Sequence, residues 1–141
     1  NNTLTRLLEL SVIPIINEND TVATKEIVIG DNDTLAAIVA VSVKADLLVL
    51  LSDIDGLYTK DPHTNPDAEL KSVVPEISDD VLALADGNKS KLGTGGMKTK
   101  ITAAKTVTEK GIDMIITNGA RPSDLYDIFE GKAVGTRFLK Q

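Results

Sequence analysis

A run of five consecutive apolar residues, Leu47 to Leu51, constrains the fold of this chain more than any other feature. Its length suits a β-strand, and it lacks the alternation expected of a strand with one face in water. Continuous apolar strands are typical of parallel sheets, which are covered on both faces. The run therefore predicts a central, parallel strand.

The segments around this run alternate between helical and strand patterns, which predicts an α/β fold with a largely parallel sheet and helices on both faces. The predicted helices span residues 2–10, 30–45, 78–87, 97–110 and 122–131. The predicted strands span residues 12–16, 26–29, 47–51, 70–74, 112–117 and 134–139.

The composition argues against several kinds of binding partner. The 141 residues suit one domain and carry a formal net charge of −6, with 3% aromatic residues and no tryptophan. These values argue against nucleic-acid binding. The absence of cysteine excludes disulfides and thiolate metal sites and fits a cytoplasmic protein. The apolar runs are too short to cross a membrane, so we expect no membrane partner.

Two polar clusters follow predicted strands, and a third opens a predicted helix. They are Asn17–Asp20, Gly30–Asp33 and Ser52–Gly56. Ligands of parallel sheets bind beyond the carboxyl ends of the strands, so we expect these clusters to converge. Taken alone, the second cluster is also explained by plain helix capping. The single histidine, His63, lies between two prolines and is expected to be a surface residue rather than a base.

The glycine-rich stretch from Gly93 to Lys100 precedes a helical pattern. Glycine lets backbone N–H groups approach an anion, and a helix N-terminus attracts one. The stretch matches neither the P-loop nor the dinucleotide-binding fingerprint. Together with the acidic clusters, it predicts phosphate or nucleotide binding with Mg²⁺ as a mediator, and a non-P-loop kinase is one candidate. A flexible loop before a helix is the alternative.

Several stretches together resemble the amino acid kinase family, almost from end to end. The broad family is indicated by Gly56 to Pro62, whereas Asn17 to Asp20, Gly30 to Asp33 and Gly95 to Lys100 are typical of one branch. The family fold is a three-layer sandwich. The resemblance implies ATP-dependent phosphorylation of the γ-carboxylate of L-glutamate, the first step of proline biosynthesis. That carboxylate is already ionised at pH 7, so the reaction needs no general base.

The resemblance also implies a role for each site residue. Asp20 and Asn32 would hold the amino acid, and Asp33 would orient the catalytic lysines. Lys100 would stabilise the charge of the transferred phosphoryl group. The residues implied in ATP binding are Ser52, Asp53, Thr94, Gly95, Gly96, Met97, Lys98, Thr99 and Lys100.

The chain departs from the family pattern in two ways. The family domain opens with a strand and a glycine-rich loop that carries a second lysine, and many members end in a PUA-type domain. Neither is found in residues 1–141, which we therefore expect to form one partial kinase domain, its nucleotide-binding C-terminal portion, with little activity alone. The resemblance further implies proline as a feedback inhibitor and a homo-oligomer. Alternatives are an N-acetylglutamate or carbamate kinase, or a non-catalytic nucleotide-binding module.

Overall fold

The computed structural model describes residues 2–17, 31–87 and 96–141, and its sheet has four strands in the order β1-β3-β4-β2. Strand β1 pairs in parallel with β3, and β2 pairs in parallel with β4, whereas β3 and β4 are antiparallel. Two of the three pairings are parallel, which confirms the largely parallel sheet. The strands are β1 (Leu47–Ser52), β2 (Val73–Val74), β3 (Asp113–Asn118) and β4 (Thr136–Phe138).

Five helices accompany the sheet. They are α1 (Asn2–Glu9), α2 (Asn32–Val43), α3 (Asp79–Gly87), α4 (Met97–Thr108) and α5 (Asp124–Phe129). Both ends of each helix lie within two residues of a range predicted from the sequence. The alternation of apolar and polar residues therefore located all five helices.

Strand β3 carries the centre of the core. Met114 and Ile116 belong to the same buried apolar cluster as Ala104 and Val107 of α4. Successive side chains of a strand point to opposite faces, so Thr117 lies on the other face. There its hydroxyl contacts the carboxylate of Asp124 in α5 at 3.4 Å. Helices therefore cover both faces of β3, as predicted.

Helices α2 and α4 pack against each other, and each leads directly into a parallel strand. Helix α2 ends at Val43, and the C-cap residue Lys44, with a φ of +54°, turns the chain toward β1. Helix α4 ends shortly before β3. A helix that packs on the next strand of the chain runs antiparallel to that strand. The N-termini of α2 and α4 therefore lie toward the carboxyl ends of β1 and β3.

One strand prediction was wrong. Residues 12–17 form no helix or strand and pair with no strand among the described residues. Among the four described strands β1 lies at the edge, and its central position in the sheet stays a prediction. An apolar pattern reports the tendency to be buried and not the identity of the neighbour, which explains the error. The predicted strand at residues 26–29 lies outside the described residues.

Candidate nucleotide and phosphoryl-transfer site

A buried ion pair joins the N-terminal turns of α2 and α4. Lys100 Nζ lies 3.0 Å from Oδ2 of Asp33, and their side chains are 10% and 17% exposed. Asp31 caps α2 by accepting hydrogen bonds from the amide and hydroxyl of Thr34 at 2.7 and 2.9 Å. The cap fixes the first turn of α2, and with it the backbone of Asp33. Lys100 is thus held by a rigid carboxylate.

Thr99 strengthens the same junction. Its hydroxyl lies 2.7 Å from Asp33 Oδ2 and 2.8 Å from the carbonyl oxygen of Gly96. One hydroxyl proton serves one acceptor at a time, and the charged carboxylate is the stronger of the two. Asp33 therefore accepts from two consecutive residues of α4.

The N-terminus of α4 is built for an approaching anion. Gly96 is its N-cap residue, with no side-chain hydrogen bond to the helix end. The first N–H groups of a helix point along its axis and favour negative charge. Met97 is buried in the core and Lys98 is exposed, so the turn is anchored on one side and open on the other. Thr94 and Gly95, also predicted to bind ATP, lie outside the described residues.

A second polar cluster lies at the carboxyl ends of β1 and β3. Ser52 is in register with Asn118, and the Ser52 carbonyl accepts the Gly119 amide at 2.7 Å. The Ser52 hydroxyl donates to Asp53 at 3.0 Å, and Asp53 is exposed. The two predicted nucleotide contacts therefore lie at the end of β1, with Asp53 open to a ligand.

Asp55 organises this cluster. Its carboxylate accepts hydrogen bonds from Asn118 at 3.0 Å, from Arg121 at 2.9 Å and from the hydroxyl of Tyr58 at 3.2 Å. The hydrogen bonds from Asn118 and Arg121 lower the pKa of Asp55, against a burial that raises it. Burial, followed by the charge of Asp55, raises the pKa of Tyr58. Asp55 is thus a fixed anion that ties the loop after β1 to the loop after β3.

Asn118 and Arg121 were missed by the sequence reasoning. The signal was present, because Asn118 and Gly119 directly follow the predicted strand of residues 112–117, just as Ser52 and Asp53 follow the predicted strand of residues 47–51. Arg121 had no such signal. It reaches Asp55 through the turn after β3, in which the amide of Ala120 donates to the side chain of Asn118 at 3.0 Å.

The predicted amino acid site is only partly described. Asn32 is exposed at the start of α2 and lines one end of a groove of about 480 Å³ along that helix. Asp20 lies outside the described residues. His63 is exposed, and its backbone amide donates to the carboxylate of Asp61. No group of three acidic or histidine residues within ranges 2–17, 31–87 and 96–141 could hold a metal ion.

The fold and these two clusters define a class of protein. A sequence profile of the amino acid kinase family matches residues 1–118. The chain belongs to the amino acid kinase family.

Individual proteins of the family are similar to this chain over nearly its whole length. The chain is 57% identical over 137 residues to a glutamate 5-kinase of Clostridium tetani, which covers 97% of this chain and 51% of that protein. A glutamate 5-kinase of Caldanaerobacter subterraneus is 56% identical over 97% of this chain and 37% of its own length. The chain thus spans about half or less of the curated relatives that it matches.

Solved structures support the fold. UMP kinase from Ureaplasma parvum superposes with a TM-score of 0.69 at 22% identity, covering 99% of this chain and 52% of that one. Carbamate kinase from Giardia lamblia, solved with AMP-PNP, gives a TM-score of 0.67 at 24% identity, covering 99% and 49%. The amino acid kinase-like fold predicted from the sequence is confirmed. None of the helices in the described ranges is long and apolar enough to span a membrane.

Proposed function

We propose that residues 1–141 form the nucleotide-side part of one amino acid kinase domain that phosphorylates the γ-carboxylate of L-glutamate with ATP. The observation that carries this proposal is the 3.0 Å pair of Lys100 and Asp33 at the joined N-termini of α2 and α4. Identity of 57% to a glutamate 5-kinase supports glutamate as the acceptor.

Both polar clusters, at the N-terminus of α4 and at the carboxyl end of β1, bind ATP. The N-terminus of α4, from Gly96 to Lys100, takes the phosphates, because its N–H groups and lysines supply positive charge. Ser52 and Asp53, at the end of β1, contact the nucleotide as well. Thr94, Gly95 and Asp20 retain their predicted roles in binding phosphates and glutamate.

The chemistry needs charge stabilisation and alignment. A γ-carboxylate oxygen of glutamate forms a bond to the γ-phosphorus of ATP as the bond between that phosphorus and the bridging oxygen breaks, which releases ADP. Negative charge spreads over the transferred group, and the ammonium of Lys100 stabilises it. Asp33 fixes that ammonium, and the attacking carboxylate has no proton to remove.

Mg²⁺ would accompany ATP, where it neutralises charge on the β- and γ-phosphates. In kinases this ion is held largely by phosphate oxygens, with one or two carboxylates. The resemblance to the amino acid kinase family leads us to expect that proline inhibits at the glutamate site. We also expect the protein to form homo-oligomers and the reaction to take place in the cytoplasm.

The proposal is tested with a hybrid chain. The part of the Clostridium tetani relative that this chain does not match is joined to these 141 residues at the position it has in the relative. Coupled ADP release is then measured with L-glutamate, N-acetylglutamate and carbamate. We expect turnover with glutamate alone, and little or none from the 141 residues without the added part.

The remaining outcomes separate the alternatives. ADP release with N-acetylglutamate or carbamate identifies another member of the family. A hybrid that binds MgATP but turns over none of the three acceptors is a nucleotide-binding module, and the proposal is then wrong.

A further inference from the structure

The segment from Ser52 to Leu57 follows β1 and is attached to neighbouring strands at both ends. At its start, the Ser52 carbonyl accepts the amide of Gly119, which directly follows β3, at 2.7 Å. At its end, the buried amide of Leu57 donates to the hydroxyl of Thr136, the first residue of β4, at 2.8 Å. The two ends of the segment are therefore fixed by the backbone and by a buried hydroxyl.

The middle of the segment is held by a side chain, that of Asp55. Its Oδ1 accepts hydrogen bonds from the amide of Asn118 at 3.0 Å and from the guanidinium of Arg121 at 2.9 Å. The side chains of Arg121 and Asp55 are 55% and 37% exposed, so their ion pair lies at the surface. Surface pairs contribute little to the stability of a fold, because water screens them. The effect of this pair is therefore mainly on the position of the segment.

Arg121 also affects the charge of this edge of the sheet. Its Nε lies 3.3 Å from the carboxylate of Asp124, so the guanidinium lies between two carboxylates, those of Asp55 and Asp124. The nearby carboxylate of Asp53 is exposed. An anionic nucleotide is repelled by uncompensated carboxylates beside its site. Arg121 therefore offsets negative charge at the position where Asp53 is expected to meet ATP.

These contacts are separate from the pair that acts on the transferred group. Lys100 and Asp33 join the N-terminal turns of α2 and α4, whereas Asp55 and Arg121 join the turns after β1 and β3. A change at Arg121 should therefore alter the binding of the nucleotide and leave the charge stabilisation by Lys100 in place.

We propose that Asp55, Asn118 and Arg121 are positioning residues for the nucleotide, which hold the segment from Ser52 to Leu57 in the conformation that binds ATP. The inference rests on the proposed binding of ATP by Ser52 and Asp53. A segment that is already ordered loses less conformational freedom when a ligand binds, which increases affinity.

The test uses the hybrid chain described above. Titration calorimetry gives the Kd of the magnesium complex of AMP-PNP, and the coupled assay gives kcat with L-glutamate and the KM for ATP. Arg121→Gln should raise Kd and KM about tenfold and leave kcat within about twofold. Arg121→Lys keeps the charge and one donor for Asp55, so the rise should be no more than about threefold.

The matched control is Arg137→Gln. Arg137 forms a surface pair with Asp113, which is the first residue of β3 and lies at the opposite end of the strand from Asn118. Its side chain is 45% exposed, close to the value for Arg121. This variant should leave the Kd, the KM and kcat unchanged. Equal losses of affinity in both glutamine variants would overturn the positioning role.

Amide hydrogen exchange of the hybrid chain without nucleotide separates positioning from general stability. Arg121→Gln should quicken exchange at residues 53–56 and leave the protected amides of β3 unchanged. Equally faster exchange throughout β3 would overturn the proposal, because Arg121 would then support the fold as a whole.

The outcomes also separate this inference from the proposed function. A hybrid chain that binds no AMP-PNP contradicts both. A hybrid chain that binds AMP-PNP with the same Kd before and after Arg121→Gln contradicts only the positioning role, as does a variant that loses kcat at unchanged affinity.

Discussion

Thr99 donates its hydroxyl to Asp33 over 2.7 Å, at the same carboxylate oxygen that Lys100 contacts at 3.0 Å. Consecutive residues of α4 thus converge on one oxygen of α2. A lysine side chain has many rotamers, and a threonine has few. Thr99 therefore fixes the carboxylate from one side while Lys100 binds from the other, so that the position of the ammonium is set before ATP arrives.

Replacing Thr99 with valine removes the hydroxyl and keeps the shape. We expect a loss of about 1 kcal/mol in unfolding free energy, the usual value of one hydrogen bond. In the hybrid chain, kcat for glutamate should fall about tenfold while the KM for ATP changes little. Thr102→Val is the matched control, because Thr102 is exposed on the same helix and its hydroxyl donates to the backbone carbonyl of Lys98. Equal effects of both variants would contradict the positioning role.

Replacing Lys100 with glutamine separates catalysis from binding. Loss of a charge that acts mainly in the transition state should lower kcat of the hybrid chain by about 10²- to 10³-fold, with a smaller change in ATP affinity. Lys105→Gln is the control, since Lys105 is exposed in the last turn of the same helix. A variant that loses only ATP affinity would favour the nucleotide-binding module.

Replacing Asp33 with asparagine should destabilise the chain. The Lys100 ammonium stays buried and loses its carboxylate, which we expect to cost about 2 kcal/mol in unfolding free energy by urea titration. The double variant Asp33→Asn and Lys100→Met should recover part of that loss, because the buried charge is then gone. Additive losses in the double variant would show that the two residues do not interact.

The sequence predicted the parts of the site that depend on local rules. Asp31 is the N-cap of α2, and Gly96 is the N-cap of α4. Both features depend on a residue and its neighbours in the sequence, so they can be predicted without knowledge of the fold. The sequence could not predict that Thr99 and Asp33 meet, since the contact joins residues far apart in the chain. The wrong strand at residues 12–16 has a related cause, as pairing depends on what lies beside a segment.

The network around Asp55 predicts a pH dependence. Hydrogen bonds from Asn118 and Arg121 hold the pKa of Asp55 below the ordinary aspartate value of 3.8. A lowered folded-state pKa stabilises the fold above the unfolded value, and this contribution is lost as the pH falls through the folded value. The unfolding free energy of wild type should therefore exceed that of Asp55→Asn at pH 7, and the difference should shrink below about pH 4.

Two variants check the cause of this dependence. Arg121→Gln should move the NMR titration of the Asp55 carboxyl toward higher pH. Lys132→Gln, which removes an exposed cation that contacts Asp127 and Glu130 instead, should leave that titration in place. A titration of Asp55 that Arg121→Gln does not change would mean that the arginine contributes nothing to the low pKa.

Alanine substitutions at two glycines with similar φ angles distinguish backbone strain from steric clash. Gly131 and Gly135 have φ values of +80° and +62°, so alanine is strained at both. A β-carbon at Gly131 has nothing within 4 Å, whereas at Gly135 it would lie 2.0 Å from the carbonyl oxygen of Ile116. We expect Gly131→Ala to lower the unfolding free energy by about 1 kcal/mol.

Gly135→Ala should cost more, about 3 kcal/mol or greater, because the backbone between β3 and β4 must also shift. Urea titration of the two variants measures the difference directly. Since Ile116 belongs to the strand that ends in Asn118, amide exchange of β3 should quicken far more in Gly135→Ala than in Gly131→Ala. Equal losses in both would show that the close approach at Gly135 relaxes without cost.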